Sequence, residues 1–184
     1  MRENSVLRKL LGLCVLTVVV VERELHEGED GGRSKLEVWV RRRARHRGRC
    51  GRCGGVVPRF DNGGDERRWR HIDIGMATGE LVADAPWVSC PEHGVTVAEV
   101  SWARHDSAFS RAFEDLVVFD TIVSSKLTIA RRYGISWRAV NNMCVRVATE
   151  ALGRVDPLEG LVAIAIDEVK FKLGHNYLTV VCDS

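Results

Sequence analysis

Apolar and polar positions alternate with three different periods along the chain. From Thr17 the sequence is β-branched, and Val18 to Leu25 passes from an apolar run into alternating charge. Leu36, Val38 and Val40 then alternate with Glu37, Trp39 and Arg41, the period of a half-buried strand. The acidic, glycine-rich stretch from Glu27 to Gly32 predicts the turn between them, and Arg70 to Gly75 reads as a further strand-like segment. Beyond residue 105 the spacing changes to three and four. Phe109, Ala112, Phe113, Leu116 and Val117 form one helical stripe, with Asp106 or Ser107 placed to cap it. Lys126 to Tyr133 predicts a shorter helix with Ile129 and Ala130 inward. Gly134, Ile135 and Ser136 make a tight turn, and Trp137, Val140, Cys144, Val147 and Ala151 line the inner side of a third helix. Finally, Leu161 to Ile166 runs unbroken into Asp167, Lys172 to Asn176 has the length of a turn, and Tyr177 to Cys182 suits a returning strand. Such a hairpin cannot bury its own faces, so it predicts the first two strands of a larger sheet. The fold class is therefore α+β: an N-terminal β-hairpin with a finger, a helix-turn-helix, and two opening strands.

A length of 184 residues favours one or two domains, but the period changes suggest three modules, at 1–100, 101–155 and 156–184. The balance of 27 basic against 25 acidic side chains leaves a formal charge of only +2, so global charge does not single out a nucleic-acid binder. Its distribution does. Arg41, Arg42, Arg43, Arg45, Arg47 and Arg49 fall in one short run, and Arg67, Arg68 and Arg70 form a second cluster. Either run could equally be a solvated face. Leu10 to Val21, following Arg8 and Lys9, imitates a signal peptide. It is too short to span a bilayer, and Glu22 to His26 offers no small-residue cleavage site, so a cytoplasmic protein without membrane contact is expected.

The cysteines do not form a secreted disulfide pattern, because Cys14, Cys144 and Cys182 stand singly in apolar contexts. Cys50-Gly51-Arg52-Cys53 instead has the spacing of a metal knuckle, and Cys90-Pro91-Glu92-His93 offers a second pair. Together they would close a tetrahedral Cys3His site around structural zinc, with no open position for a catalytic water. His71, in the long intervening segment, is a rival fourth ligand.

In a helix-turn-helix the second helix commonly enters the major groove. Arg138, Asn141 and Asn142 lie off the apolar stripe at the start of that helix, where arginine suits guanine edges and asparagine suits adenine edges. Arg131 and Arg132 stand near for phosphates, as do Arg41, Arg42 and Arg43 beside the finger. The competing interpretation is an ordinary helical hairpin with a wet polar face.

Several stretches, in order, carry a resemblance: GRCGRCG at 48–54, RRWRHIDIG at 67–75, CPEHGVTV at 90–97, WARHDSAFSRAFED at 102–115, the helix pair at 126–151, and IDEVKFKLGHNYLTVV from Ile166. The chain resembles the N-terminal part of bacterial insertion-sequence transposases that carry a zinc finger, a helix-turn-helix and a ribonuclease-H-like domain with an Asp-Asp-Glu triad. That resemblance implies binding to double-stranded DNA at terminal inverted repeats. It also implies that Asp167 matches the first catalytic Asp, while Glu168 and Asp183 are not triad positions. The expected further partners are a second copy of the chain or the intact transposase. Magnesium would be held only by a full-length catalytic domain, since one carboxylate cannot fix a metal pair. No strand transfer by this chain alone is expected, and a non-catalytic regulator competing for the same ends is the alternative.

Overall fold

Leu11, Leu13, Val18 and Val20, from the segment that imitates a leader, are buried in the main core. A helix, α1 (Arg2–Leu10), leads into this run. The computed structural model describes residues 2–14, 16–28, 32–61, 66–154, 164–172 and 176–183. It divides into two units, Met1–Val147 and Ala148–Ser184.

The predicted hairpin is present as β1 (Val18–His26) and β2 (Lys35–Arg42), paired antiparallel with a bulge between Val20 and Glu22. Part of the acidic turn between them lies outside the described residues. The hairpin is half of a four-stranded sheet, because two strands do not cover the apolar face that Val18, Val38 and Val40 present. The chain leaves β2 through a single 3₁₀ turn, Ala44–His46, and makes the first cysteine knuckle. It then returns as β3 (Glu66–Ile74) and β4 (Ala77–Asp84). The sheet order is β1-β2-β4-β3, with β4 parallel to β2 and antiparallel to β3. Trp69 and Leu81 meet the β1/β2 side chains in this core, and Trp69 packs edge-on against Trp102 at 5.6 Å. Each fully buried Val or Leu contributes about 1.5–3 kcal/mol, so the sheet has a core of its own.

A small antiparallel ribbon follows, β5 (Trp87–Cys90) and β6 (Gly94–Val97). Next, Arg70 N–H donates to the Ala108 carbonyl and Ser110 N–H to the Arg70 carbonyl, which stitches the start of α2 (Arg111–Asp120) to the edge strand β3. The cap is Ser110, accepting from Phe113 N at 3.2 Å, rather than the expected Asp106 or Ser107. Ser107 is occupied instead in holding Glu114 and Phe109. α3 (Lys126–Tyr133) and α4 (Trp137–Leu152) complete the unit around a second core of Phe113, Val117, Ile129, Ala130, Val140 and Met143. Ile129, Ala130 and Val140 face inward as expected. Leu116 and Trp137 do not, being exposed, and Met143 takes the core position that the stripe through Cys144 left unassigned.

In the second unit β7 (Ile164–Lys172) pairs antiparallel with β8 (Asn176–Asp183). The expected apolar lead-in at 161–163 and the turn at 173–175 lie outside the described residues.

Candidate functional site

The four predicted metal ligands converge. Cys50, Cys53, Cys90 and His93 bring their ligand atoms within 4.8 Å of one another. Cys50 Sγ is 3.9 Å from His93 Nδ1, Cys53 Sγ is 3.9 Å from Cys90 Sγ, and Cys90 Sγ is 3.5 Å from His93 Nδ1. Zn–S bonds of about 2.3 Å and Zn–N bonds of about 2.0 Å give a tetrahedron with edges of roughly 3.5–3.8 Å, so the donor set fits zinc. Backbone geometry builds both knuckles. Cys50 N–H donates to the Gly55 carbonyl and Gly54 N–H to the Cys50 carbonyl, each at 2.9 Å, while Arg52 N–H points at Cys50 Sγ at 3.4 Å. Gly51 N–H donates to the Val97 carbonyl, and a Cβ at Gly51 would lie 2.5 Å from that oxygen. Here glycine is required for close approach. The second knuckle is the β5–β6 turn itself, with Gly94 at φ 66° just after His93. Burial works to raise the Cys50 thiol, but the amides of Cys53 and Arg52 and the neighbouring thiols outweigh it and hold the group below its ordinary value. A thiolate is the form a metal ligand needs.

His71 is not a ligand. It is buried in the sheet, with Nδ1 2.6 Å from Ser110 Oγ and Nε2 3.0 Å from the Leu11 carbonyl. Burial, first, and the adjacent Arg70 charge push its pKa down to about 4 despite the Leu11 hydrogen bond. It ties α1's exit, β3 and the α2 cap together.

The helix-turn-helix geometry follows from local chemistry. Ser125 and Ser136 cap α3 and α4 through Thr128 N at 3.2 Å and Ala139 N at 3.1 Å. Gly134 ends α3 at φ 64°, ψ 33°, and Ile135 N–H closes back on the Ala130 carbonyl. The second helix thus starts with Arg138 and Asn142 exposed. Asn141 is half-buried, its Oδ1 accepting from Lys126 Nζ at 2.8 Å across the turn. Arg131 and Arg132 are exposed on α3, with Arg132 3.3 Å from Asp120.

One residue the stripe did not reveal holds this module. Glu114 is fully buried. It accepts from Arg104 at 3.1 Å, from Ser107 Oγ at 2.7 Å and from Arg146 Nε on α4 at 2.9 Å. Its partners stand at 104, 107 and 146, so no local period could have marked it.

Of the arginines beside the finger, Arg41 and Arg43 are exposed, but Arg42 is buried and donates to the Glu99 carbonyl at 2.6 Å. Strand alternation turns it inward, which corrects its place among the DNA contacts. The second cluster is spent within the protein. Arg68 sits 2.7 Å from Glu37 and 2.6 Å from Glu80, Arg70 pairs with Asp73, and Arg67 lies over the Trp87 ring.

Asp167 lies within β7 rather than at its end, opposite Val180, and is exposed. Its Oδ1 accepts from the Glu168 amide at 2.8 Å. Among the described residues Asp167 joins no metal-ligand grouping.

Residues 46–93 match the zinc-finger of transposase IS204/IS1001/IS1096/IS1165, and residues 98–148 match the helix-turn-helix domain of transposase family ISL3. The metal cluster lies inside the first span, and Arg131, Arg132, Arg138 and Asn142 lie inside the second. No helix among the described residues is long and apolar enough to cross a membrane. No solved structure matches. The chain is 38% identical over 183 residues to the transposase for insertion sequence element IS1557 in two strains of Mycobacterium tuberculosis, CDC 1551 / Oshkosh and ATCC 25618 / H37Rv. It spans 41% of the length of these relatives. With a zinc finger and a helix-turn-helix of this kind in order, and a relative matched along all of it, the chain is similar to ISL3-type insertion-sequence transposases.

Proposed function

We propose that this chain recognises the terminal inverted repeats of an insertion sequence as double-stranded DNA. The observation that carries this is the α3–Gly134–α4 turn, which leaves Arg138 and Asn142 exposed on the first turns of α4. In the major groove Arg138 would read a guanine edge and Asn142 an adenine edge, with Asn141 beside them still offering its amide N–H groups. Arg131, Arg132, Arg41 and Arg43 would hold phosphates. Zinc, when bound by Cys50, Cys53, Cys90 and His93, supplies a structural crosslink and no chemistry.

The 184-residue polypeptide is not expected to cut or join DNA by itself. Asp167 would be one carboxylate of a metal pair, and a pair needs more oxygen ligands than one side chain offers. Purified protein that cleaved element ends in magnesium would refute this. A second reading is a non-catalytic regulator that competes with intact transposase for the same ends. Whether the neighbouring codons of the locus encode further catalytic carboxylates separates the two.

Selection of bound sequences from random duplex DNA, with and without chelator, tests the proposal. A discrete motif enriched only by zinc-loaded protein is expected; no enrichment under any condition would refute it.

A further inference from the structure

Asn141 belongs to the outward face of α4. Val140 and Met143 pack inward, while Arg138, Asn142 and Val145 are exposed, and Asn141 stands among them, one turn from Arg138 and one turn from Val145. It is half-buried, and Lys126 reaches it across the turn to donate from Nζ to Oδ1 at 2.8 Å. This contact fixes which way the amide faces. An ammonium carries donors alone, so the Asn141 oxygen turns toward Lys126 and the nitrogen away from it.

Lys126 stands where its own helix does not favour it. It is the first residue of α3, directly after the Ser125 cap, and the positive end of the helix dipole disfavours a cation there. The first turn of α3 contains no acid to compensate. What the ammonium meets is the Asn141 oxygen.

Asparagine reads adenine with both ends of its amide, the oxygen accepting from N6 and the nitrogen donating to N7. With the Lys126 ammonium 2.8 Å from that oxygen, an adenine N6 amino group would approach donor against donor. The Asn141 N–H groups and the other Lys126 N–H groups together present donors alone. We propose that the Lys126–Asn141 pair selects guanine and rejects adenine, because guanine offers N7 and O6 as adjacent acceptors whereas adenine sets a donor beside N7. Lys126 is thus a positioning residue that acts through Asn141. The inference rests on the DNA-binding function proposed above and names the base that this part of α4 reads.

The test selects bound sequences from random duplex DNA with the zinc-loaded full chain and its variants, then measures affinity for duplexes differing at one base pair. Asn141→Ala locates the position, as the one where its preference is lost. There the wild type should prefer guanine, and Lys126→Met, which frees the Asn141 oxygen, should improve adenine relative to guanine by about tenfold. Lys126→Arg keeps a donor at that oxygen and should keep guanine. Zinc content and thermal midpoint serve as folding controls, and a change of base preference is not something a purely structural role would produce. Wild-type preference for adenine at that position, an Asn141→Ala motif unchanged throughout, or a Lys126→Met variant that weakens all bases alike would each overturn the pair and leave DNA binding standing. Wild-type protein that enriches no sequence would overturn both.

Discussion

Two arginine clusters that look alike in sequence have opposite roles in the structure. In β3, Arg68 and Arg70 alternate along a strand whose neighbours carry carboxylates. Glu37 and Glu80 enclose Arg68, and Lys35 stands 2.8 and 2.7 Å from the same two acids. Burial works to raise the Glu37 carboxyl, but Lys35 and Arg68 win and hold it below its ordinary range, while Arg68 and Lys35 are raised in turn by hydrogen bonds to the acids. In the run from Arg41 to Arg49 the chain has left the sheet. There Arg49 meets the Gly54 carbonyl at 2.9 Å and Arg45 meets the Leu16 carbonyl at 2.9 Å. A carbonyl satisfies donors without cancelling charge. Density of arginine therefore indicates little; what differs between the clusters is whether the pairing strand brings acids alongside.

The largest expected effect breaks the first cluster and spares the second. Removing zinc by chelation should cost on the order of 10 kcal/mol of finger stability, since structural zinc contributes folding energy outright. Duplex affinity should collapse while far-ultraviolet dichroism retains the signal of the four-stranded sheet. Cys50→Ser should behave likewise, and one full equivalent of zinc kept by that variant would remove Cys50 from the ligand set.

Next in size is acid sensitivity centred on β3. The folded pKa of His71 is about 4 against an ordinary 6.5, so between those values the unfolded chain binds the proton and the native chain does not. Stability should be complete above pH 6.5 and decline as pH falls through this window, by roughly 3 kcal/mol from this residue. Urea unfolding from pH 7 to 4.5 should show the decline, and His71→Gln should flatten it.

Smaller again is Glu37→Gln, which leaves Arg68 and Lys35 sharing Glu80. Both cations are partly exposed, so solvent screening limits the loss to about 1 kcal/mol. Thermal unfolding should register it, and the salt dependence of DNA binding should not weaken.

Smallest in stability is Arg41→Ala, expected to change it by less than about 0.5 kcal/mol. It should still reduce the salt slope by about 0.9, whereas Arg68→Ala should leave that slope unchanged. If the two variants behaved identically, the contrast between the clusters would fail.

Local chemistry made much of this legible. Period-two alternation at Leu36 to Val40, the Gly134 turn with its Ser136 cap, and the two knuckle pairs depend on neighbours within a few residues, and the structure contains each. What escaped depends on distant partners. Nothing near residue 114 announces that Arg104 and Arg146 will enclose a buried Glu, and nothing near His71 announces Leu11 or Ser110. Arg42 is turned inward by strand alternation in spite of its charge. The parallel β2–β4 pairing joins strands separated by the first knuckle and β3, so no neighbouring residues mark it.

The most direct measurement is the equilibrium affinity of the zinc-loaded chain for duplex DNA at 50 and 200 mM salt. Contacts to six to ten phosphates from the finger and the helix-turn-helix together should make binding fall by roughly 10³–10⁵ over that range. A flat response would contradict the proposal that this chain grips duplex DNA.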